Sequence, residues 1–387
     1  MVASLGGFRT FRSLKRSEAF MRRKQELSTL LGQPRIYCVQ DAVPRLRSFL
    51  RVVHWNIQYG LNLEAIIAIL NTHPLIRFAD LILLNEVDDG MLRSGNVNVA
   101  QAAGSALSAH AIFGVEYLEL TSGPGRFADL SGSNKAALHG NAILTRHPFS
   151  RARILRLPRC EDNFESAERR IGGRAAVTAE IGFDGSLITA SSTHLDVAAT
   201  PRCRAKQMLA LLDRASVRGP TIVGGDLNTH TFARGGKIRS IGNILKVLFK
   251  NRERLNRDLA NPAAREPVLS LLNGLGLMTE GFNDALPTSS IVLSDSSLTE
   301  STSIPAAVRR LALRRLRNTG MELRARLDWF AARGLRPLGS GEAVDRATGT
   351  ASIPPQTIRV SVGGAPISDH LPIVVDVVPD EETMNDE

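Results

Sequence analysis

A layered α/β domain with mixed sheets is what this sequence predicts, and three observations predict it. From residue 51 onward, short β-branched apolar runs alternate with segments of helical apolar spacing. Two of those runs flank Asp184-Gly185, a tight-turn pair, which makes an antiparallel hairpin beside strands that need crossovers. Most runs end in polar residues, where sites tend to form.

Taken in order, Arg51 to Asn56 is a strand, Asn62 to Leu70 an amphipathic helix and Leu81 to Val87 a buried strand. Gly140 to Thr145 is a further strand. Ala175 to Phe183 and Leu187 to His194 form the hairpin. Arg202 to Ala215 has helical spacing, and Thr221 to Gly225 is a core strand that runs into Asp226. Glu266 to Leu277 is a helix, and Arg326 to Ala331, Thr357 to Val362 and Leu371 to Val378 are the last strands.

The 387 residues are 43% hydrophobic and 22% charged, enough to bury a sizeable core. No apolar run approaches the ~20 residues of a membrane-spanning helix. Cys38, Cys160 and Cys203 are odd in number and lack metal-ligand or disulfide-framework spacing, so a reducing, cytoplasmic location is expected. The formal charge is +10; in the first fifty residues ten Arg/Lys face only Glu18, Glu26 and Asp41. That head, residues 1–49, is expected to be a loosely ordered basic extension. It has no apolar signal-peptide core, and its Arg/Ser content is only weakly that of a transit peptide. A catalytic domain is expected over 50–379, a basic insertion over 229–325 and an acidic tail over 380–387. The insertion holds two basic stretches, Arg234 to Arg257 and Arg309 to Arg317, which are either solvated faces or anion contacts.

Four strand-end clusters carry chemistry. In HWNIQYG, Asn56 and Gln58 are two apart and share one strand face, with Ile57 packed behind. In LILLNEVDDG, four apolar residues drive a strand inward and deliver Glu86 at its end, where a carboxylate is costly unless it meets a cation. Hard Mg²⁺ takes such oxygen ligands. Asp88 and Asp89 are then expected as turn residues in an exposed loop. In TIVGGDLNTH, two glycines permit close approach of backbone and substrate before Asp226 and Asn228, an acid able to orient water beside an amide able to donate to phosphate. In ISDHLPIVVDV, Ser368, Asp369 and His370 precede an alternating strand, and an acid beside an imidazole can serve a metal and a phosphate oxygen together. His194 in SSTHLD and Asp328 in ARLDWF complete the set, with Asp328 suited to hold one nitrogen of His370. HGNAILTRHPF adds Asn141 beside the close-approach Gly140; His139 and His147 are left unassigned.

In this order the clusters resemble those of the endonuclease/exonuclease/phosphatase family, over roughly residues 50 to 379. The resemblance implies a four-layer α/β/β/α sandwich of two mixed sheets, as in deoxyribonuclease I. It implies Asn56, Glu86 and Asp369 as ligands of Mg²⁺, or Mn²⁺, and Asp226 with Asn228 as the pair that activates water and holds phosphate. It further implies His370, oriented by Asp328, on the phosphate, His194 at the transition state or leaving group, and Asn141 with Gln58 on the substrate. No phosphate-cradling Gly-rich loop and no serine or cysteine nucleophile signature competes with this reading.

The position of Gln58 is an aspartate in abasic-site nucleases of that family, so the amide weakens that assignment. Aromatic residues are only 5% of the chain, and stacking platforms for single strands are not evident. The expectation is therefore a monomeric Mg²⁺-dependent phosphoesterase acting on a phosphorylated small molecule or lipid. The alternatives are a DNA or RNA nuclease and an inactive binding module.

Overall fold

The structure is a computed structural model that describes residues 2–160, 163–164, 168–197, 199–215, 219–230, 252–292, 314 and 322–380. Among these, two large sheets dominate. The first runs β1 (Arg35–Tyr37), β4 (His110–Glu119), β5 (Leu138–Thr145), β3 (Leu81–Asp89), β2 (Leu50–Tyr59), β18 (Ile373–Pro379) and β14 (Leu335–Pro337). Beside it, β7 (Arg170–Gly172) pairs with β4 and β15 (Gln356–Thr357) with β18. The second runs β13 (Asp328–Arg333), β10 (Thr221–Asp226), β9 (Ser186–His194), β8 (Ala175–Phe183) and β6 (Phe149–Arg156). Each is mixed: β2 and β3 are parallel, as are β9 and β10, and their other pairings are antiparallel. Two small hairpins, β11 (Ser289–Val292) with β12 (Glu322–Ala325) and β16 (Ser361–Val362) with β17 (Ala365–Pro366), lie apart.

The sheets pack face to face. Leu83, Ile112 and Ile143 of the first meet Val177, Ile222 and Phe330 of the second in one buried cluster. Helices α4 (Leu63–Thr72) and α5 (Val99–Leu107) cover the outer face of the first sheet, and α6 (Pro201–Ala215) with α8 (Pro267–Gly274) that of the second. The expected four layers follow.

Strand ends shift where the chain dictates. Leu371 to Val378 begins as strand only at Ile373, because Pro372 has no N–H for a ladder. Thr357 to Val362 breaks into β15 and β16, and Arg326 precedes β13 because its N–H goes to Leu259 O. Helix α5 and strands β4 and β6 were not read from the sequence.

The basic head departs from expectation. It forms α1 (Val2–Leu5), α2 (Phe11–Lys15) and α3 (Glu18–Gly32), and Leu5, Leu14 and Leu27 are buried in the cluster beneath the first sheet. Its charges sit on the outer helix faces while interleaved Phe and Leu face inward, a pattern that net charge conceals. The cysteine expectation is also corrected: Cys160 and Cys203 form a disulfide with Cα atoms 6.2 Å apart, and Cys38 is free and exposed. Of the basic stretches, Arg309 to Arg317 lies outside the described residues except for Arg314. Of Arg234 to Arg257 only the part in α7 (Arg252–Ala260) is described, and 381–387 of the tail is not. No described helix is long and apolar enough to cross a membrane.

Candidate active site

The site lies where β2, β3, β9 and β10 end, β13 begins and the chain enters β18. Asn56 and Glu86 come from the parallel neighbours β2 and β3, whose register shifts after Asn56. Both strands distort here. Gln58, Tyr59 and Glu86 have positive φ (47°, 65° and 53°), and the β3–β5 ladder shifts between Leu84 and Val87. Such bulges re-aim side chains and cost roughly 1–3 kcal/mol per non-glycine residue at positive φ. Here they bring the Asn56 amide to both acids: its Nδ2 lies 3.3 Å from Glu86 Oε1 and 3.2 Å from Asp226 Oδ2.

Asp226 ends β10, in register with His194 on β9 and Asp328 on β13. Its Oδ1 accepts the Asn228 N–H at 2.9 Å, and its Oδ2 faces His194 Nε2 at 3.4 Å and His370 Nε2 at 3.7 Å. Asn228 has φ 50° and spends one amide hydrogen on Leu195 O. The two glycines before Asp226 serve packing rather than substrate. A Cβ on Gly224 would lie 2.6 Å from Leu83 Cδ1 across the sandwich, and one on Gly225 would lie 2.0 Å from Thr193 O.

Asp328 is wholly buried and bridges two imidazoles, His370 Nδ1 at 2.7 Å and His54 Nε2 at 2.9 Å. Burial would raise its pKa, but His370 and then His54 hold it far below the usual carboxylate range. His370 is the converse case: burial would lower its pKa, and Asp328 and Asp226 hold it well above the ordinary imidazole value. His194 is pushed well below that value by burial and then Arg174, and its Nδ1 is buried without a hydrogen-bond partner among the described residues. Burial, then charge repulsion from Asp369, raises Glu86 to about 7. Burial raises Asp226 to about 6 although His370 works against it.

Asp226, Asp328 and His370 offer ligand atoms within 4.8 Å of one another. Both Asp328 oxygens are already held by imidazoles, however, so oxygen ligands for a hard cation are better sought at Glu86, Asp369 and Asn56. Asp369 is exposed, with Ser368 Oγ 3.3 Å from its Oδ1.

Eight of the ten sequence-derived residues thus converge, with Gln58 at the rim, where its N–H donates to Asn56 Oδ1. Asn141 does not reach the cleft. It is fully buried, its Oδ1 accepts from Asn85 and its Nδ2 donates to Ala175 O, so its amide is committed within the sandwich. Asp88 and Asp89 are not exposed turn residues. Both belong to β3; Asp88 is wholly buried, with two bonds from Arg93 at 2.8 Å and His139 Nδ1 at 2.9 Å, and Asp89 pairs with Arg35 at 2.6 Å.

Supporting residues escaped the sequence reading. Asn85 accepts the Asp226 N–H at 2.8 Å, Trp55 Nε1 donates to His370 O at 2.9 Å, and His54 braces Asp328. His54 had a signal, since it shares the strand face of Asn56 two residues on. Asn85 had one too, as a lone amide inside an apolar strand.

The sequence matches the family model described as Endonuclease/Exonuclease/phosphatase family over residues 53–370. Similar solved structures include an endonuclease/exonuclease/phosphatase from Beutenbergia cavernae, 16% identical over 86% of this chain and 72% of that one, TM-score 0.45. Others are the human nocturnin catalytic domain with bound sulfate (16%, 90% and 97%, TM-score 0.43) and a humanized D. rerio TDP2 (13%, 85% and 99%, TM-score 0.40). No curated protein matches the sequence.

Proposed function

The chain belongs to the endonuclease/exonuclease/phosphatase family, and on that premise we propose that it hydrolyses a phosphodiester or phosphomonoester by in-line attack of activated water, assisted by Mg²⁺ or Mn²⁺. The observation that carries this is the Asn56 amide reaching both Glu86 and Asp226 while Asp226 faces two imidazoles. The catalytic unit is assigned to residues 50–379.

Glu86, Asp369 and Asn56 would hold the cation. Glu86 and Asp369 offer hard oxygen donors, Asn56 adds its Oδ1 once its amide turns from the Gln58 N–H, and burial together with repulsion from Asp369 raises Glu86, a cost that a cation relieves. When bound, the ion neutralises charge that builds on the phosphoryl oxygens. Asp226, with a pKa of about 6, is ionised at neutral pH and takes a proton from the attacking water. The second amide hydrogen of Asn228 is left for a phosphoryl oxygen. His370, kept protonated and oriented through Nδ1, presents Nε2–H to the phosphate, and His194 assists the leaving group. Gln58 contacts substrate at the rim.

The test is hydrolysis of bis-p-nitrophenyl phosphate and p-nitrophenyl phosphate with Mg²⁺, Mn²⁺ or a chelator, with Asp226→Ala as control. Hydrolysis of at least one ester should require the cation and fall by roughly 10³-fold or more in the variant. Equal rates in all arms would overturn the proposal.

A further inference from the structure

We propose that the basic outer face of the N-terminal helices is a docking surface for an anionic lipid bilayer. Residues 9 to 26 carry seven Arg/Lys against Glu18 and Glu26. Both acids are already paired within α3, Glu18 with Arg22 and Glu26 with Arg23 at 3.0 Å. That leaves Arg9, Arg12, Lys15, Arg16 and Lys24 as positive charge. All five are exposed, and none forms an ion pair among the described residues.

The charges stand on a fixed face. Arg12, Lys15 and Arg16 are at i, i+3 and i+4 of α2 and its cap, the spacing that puts side chains on one side of a helix, while Leu14 and Leu27 are buried beneath. Thr10 caps α2 by accepting the Ser13 N–H at 3.1 Å, and Ser17 caps α3 by accepting the Phe20 N–H at 3.2 Å. A face held in this way need not be ordered when a partner arrives. Like charges so close together repel, and a surface made for solubility alone would intersperse acids among them.

The rest of the face points to a bilayer. Phe8, Phe11 and Phe20 are half-buried against the core cluster, and Lys15 at 4.5 Å and Arg159 at 4.9 Å already cover the Phe11 ring, so these rings offer no base a stacking platform. The exposed large apolar side chain of these helices is Met21, 59% exposed beside Arg22 and Lys24, and a flexible thioether among cations suits the boundary between headgroups and acyl chains. Several cations without neighbouring acids suit a sheet of phosphate headgroups, which meets every one of them at once.

The face also lies toward the cleft. Phe11 meets Phe164 at 5.5 Å, Arg169 donates to Phe8 O, and Tyr59 is within reach of the charges of both Arg170 and Glu86. That docking would bring lipid headgroups to the cleft as substrates rests on the function proposed above; the docking itself does not.

The test is co-sedimentation of the full chain, with chelator present, with phosphatidylcholine vesicles that either lack or contain about 30% phosphatidylserine. Binding is expected only to the anionic vesicles. It should be lost between about 0.1 M and about 1 M salt, as the screening length shrinks from about 10 Å to about 3 Å. Each cation at such a surface is worth about fivefold in affinity, so Arg9→Gln, Arg12→Gln, Arg16→Gln and Lys24→Gln together should weaken binding roughly 100-fold or more. The same charge removed elsewhere, by Arg202→Gln, Lys206→Gln, Arg346→Gln and Arg359→Gln at exposed positions, should weaken it less than about tenfold. Equal binding to neutral vesicles, no binding to anionic ones, or equal losses in the two variants would overturn the proposal. So would release of vesicle-bound protein by duplex oligonucleotide at equal phosphate concentration, which would assign the face to nucleic acid. Circular dichroism confirms that both variants are folded. Because the readout needs neither cation nor turnover, it can fail while phosphoester hydrolysis stands, and the reverse.

Discussion

In Asp328→Asn the carboxylate that bridges His370 Nδ1 at 2.7 Å and His54 Nε2 at 2.9 Å becomes an amide. An amide has one accepting and one donating end, so one imidazole N–H is left facing an N–H, at about 1–3 kcal/mol for a buried mismatch. The lost charge matters more. Burial alone would lower the His370 pKa, and Asp328 with Asp226 overrides it. With Asp328 neutral, only Asp226 and Asp369 oppose burial, and the His370 pKa falls. Loss of one charged donor to a developing oxyanion costs about 3–4 kcal/mol, so kcat should drop roughly 10²–10³-fold at alkaline pH. The assay is kcat on bis-p-nitrophenyl phosphate from acid to alkaline pH at saturating Mg²⁺, with circular dichroism to confirm folding. The deficit should be smallest at acid pH, where His370 can still be protonated, and should widen as pH rises. A folded variant within threefold of wild type across the range would refute the assignment of Asp328 as the residue that charges and orients His370.

Other expectations follow from the same contacts. His139 is buried, and burial, partly opposed by Asp88, lowers its pKa to about 4. The unfolded chain therefore binds more protons between about pH 6.5 and 4, and its share of stability, about 3 kcal/mol, is complete above that window and lost as pH falls through it; His139→Gln should flatten urea-denaturation midpoints across that interval. Glu86, raised to about 7, must lose a proton to hold a cation, so Mg²⁺ affinity by calorimetry should fall about tenfold per pH unit below neutrality and collapse in Glu86→Gln. In Gly225→Ala the new methyl carbon meets Thr193 O at 2.0 Å, which should destabilise the fold by about 3 kcal/mol or more in thermal melts. The Cys160–Cys203 bond spans 43 residues, a loop whose closure is worth about 4 kcal/mol, so a reductant or Cys203→Ser should lower the urea midpoint accordingly.

The sheets were legible because their strands obey simple periodicities. Ala175–Phe183 matches its expected bounds, and its Asp-Gly turn closes the hairpin with β9 as read. The convergent acids were legible for a related reason: each sits at the end of an apolar strand in a short polar string. The head was misread because charge was counted over the segment instead of along its helix faces, where Leu14 and Leu27 point inward. Asp88 and Asp89 were misread because consecutive acids before a glycine look like a turn. Their partners, Arg93, His139 and Arg35, lie 5, 51 and 54 positions away, a pairing no local pattern reveals. The disulfide failed in the same way, its cysteines 43 positions apart and joined only by the fold.

Two buried acid clusters in one protein provide an internal comparison that bears on the cation. Asp88 and Glu86 are two residues apart on β3, and burial raises both. At Asp88 the guanidinium of Arg93 and the ring of His139 overrule burial, and its pKa falls below the usual value. At Glu86 no arginine among the described residues answers. Asp369 adds repulsion, His370 and the Asn56 amide compensate only in part, and the pKa settles near 7, with Asp226 close by at about 6. The same strand therefore supplies one carboxylate that the protein neutralises itself and another that it leaves under-compensated, at the point where Asn56 and Asp226 converge. A site that served only stability would gain from a second arginine there, as at Asp88. Leaving the charge open makes physical sense if a cation arrives from outside to complete it, and holds Glu86 in the ionised form that the proposed chemistry requires.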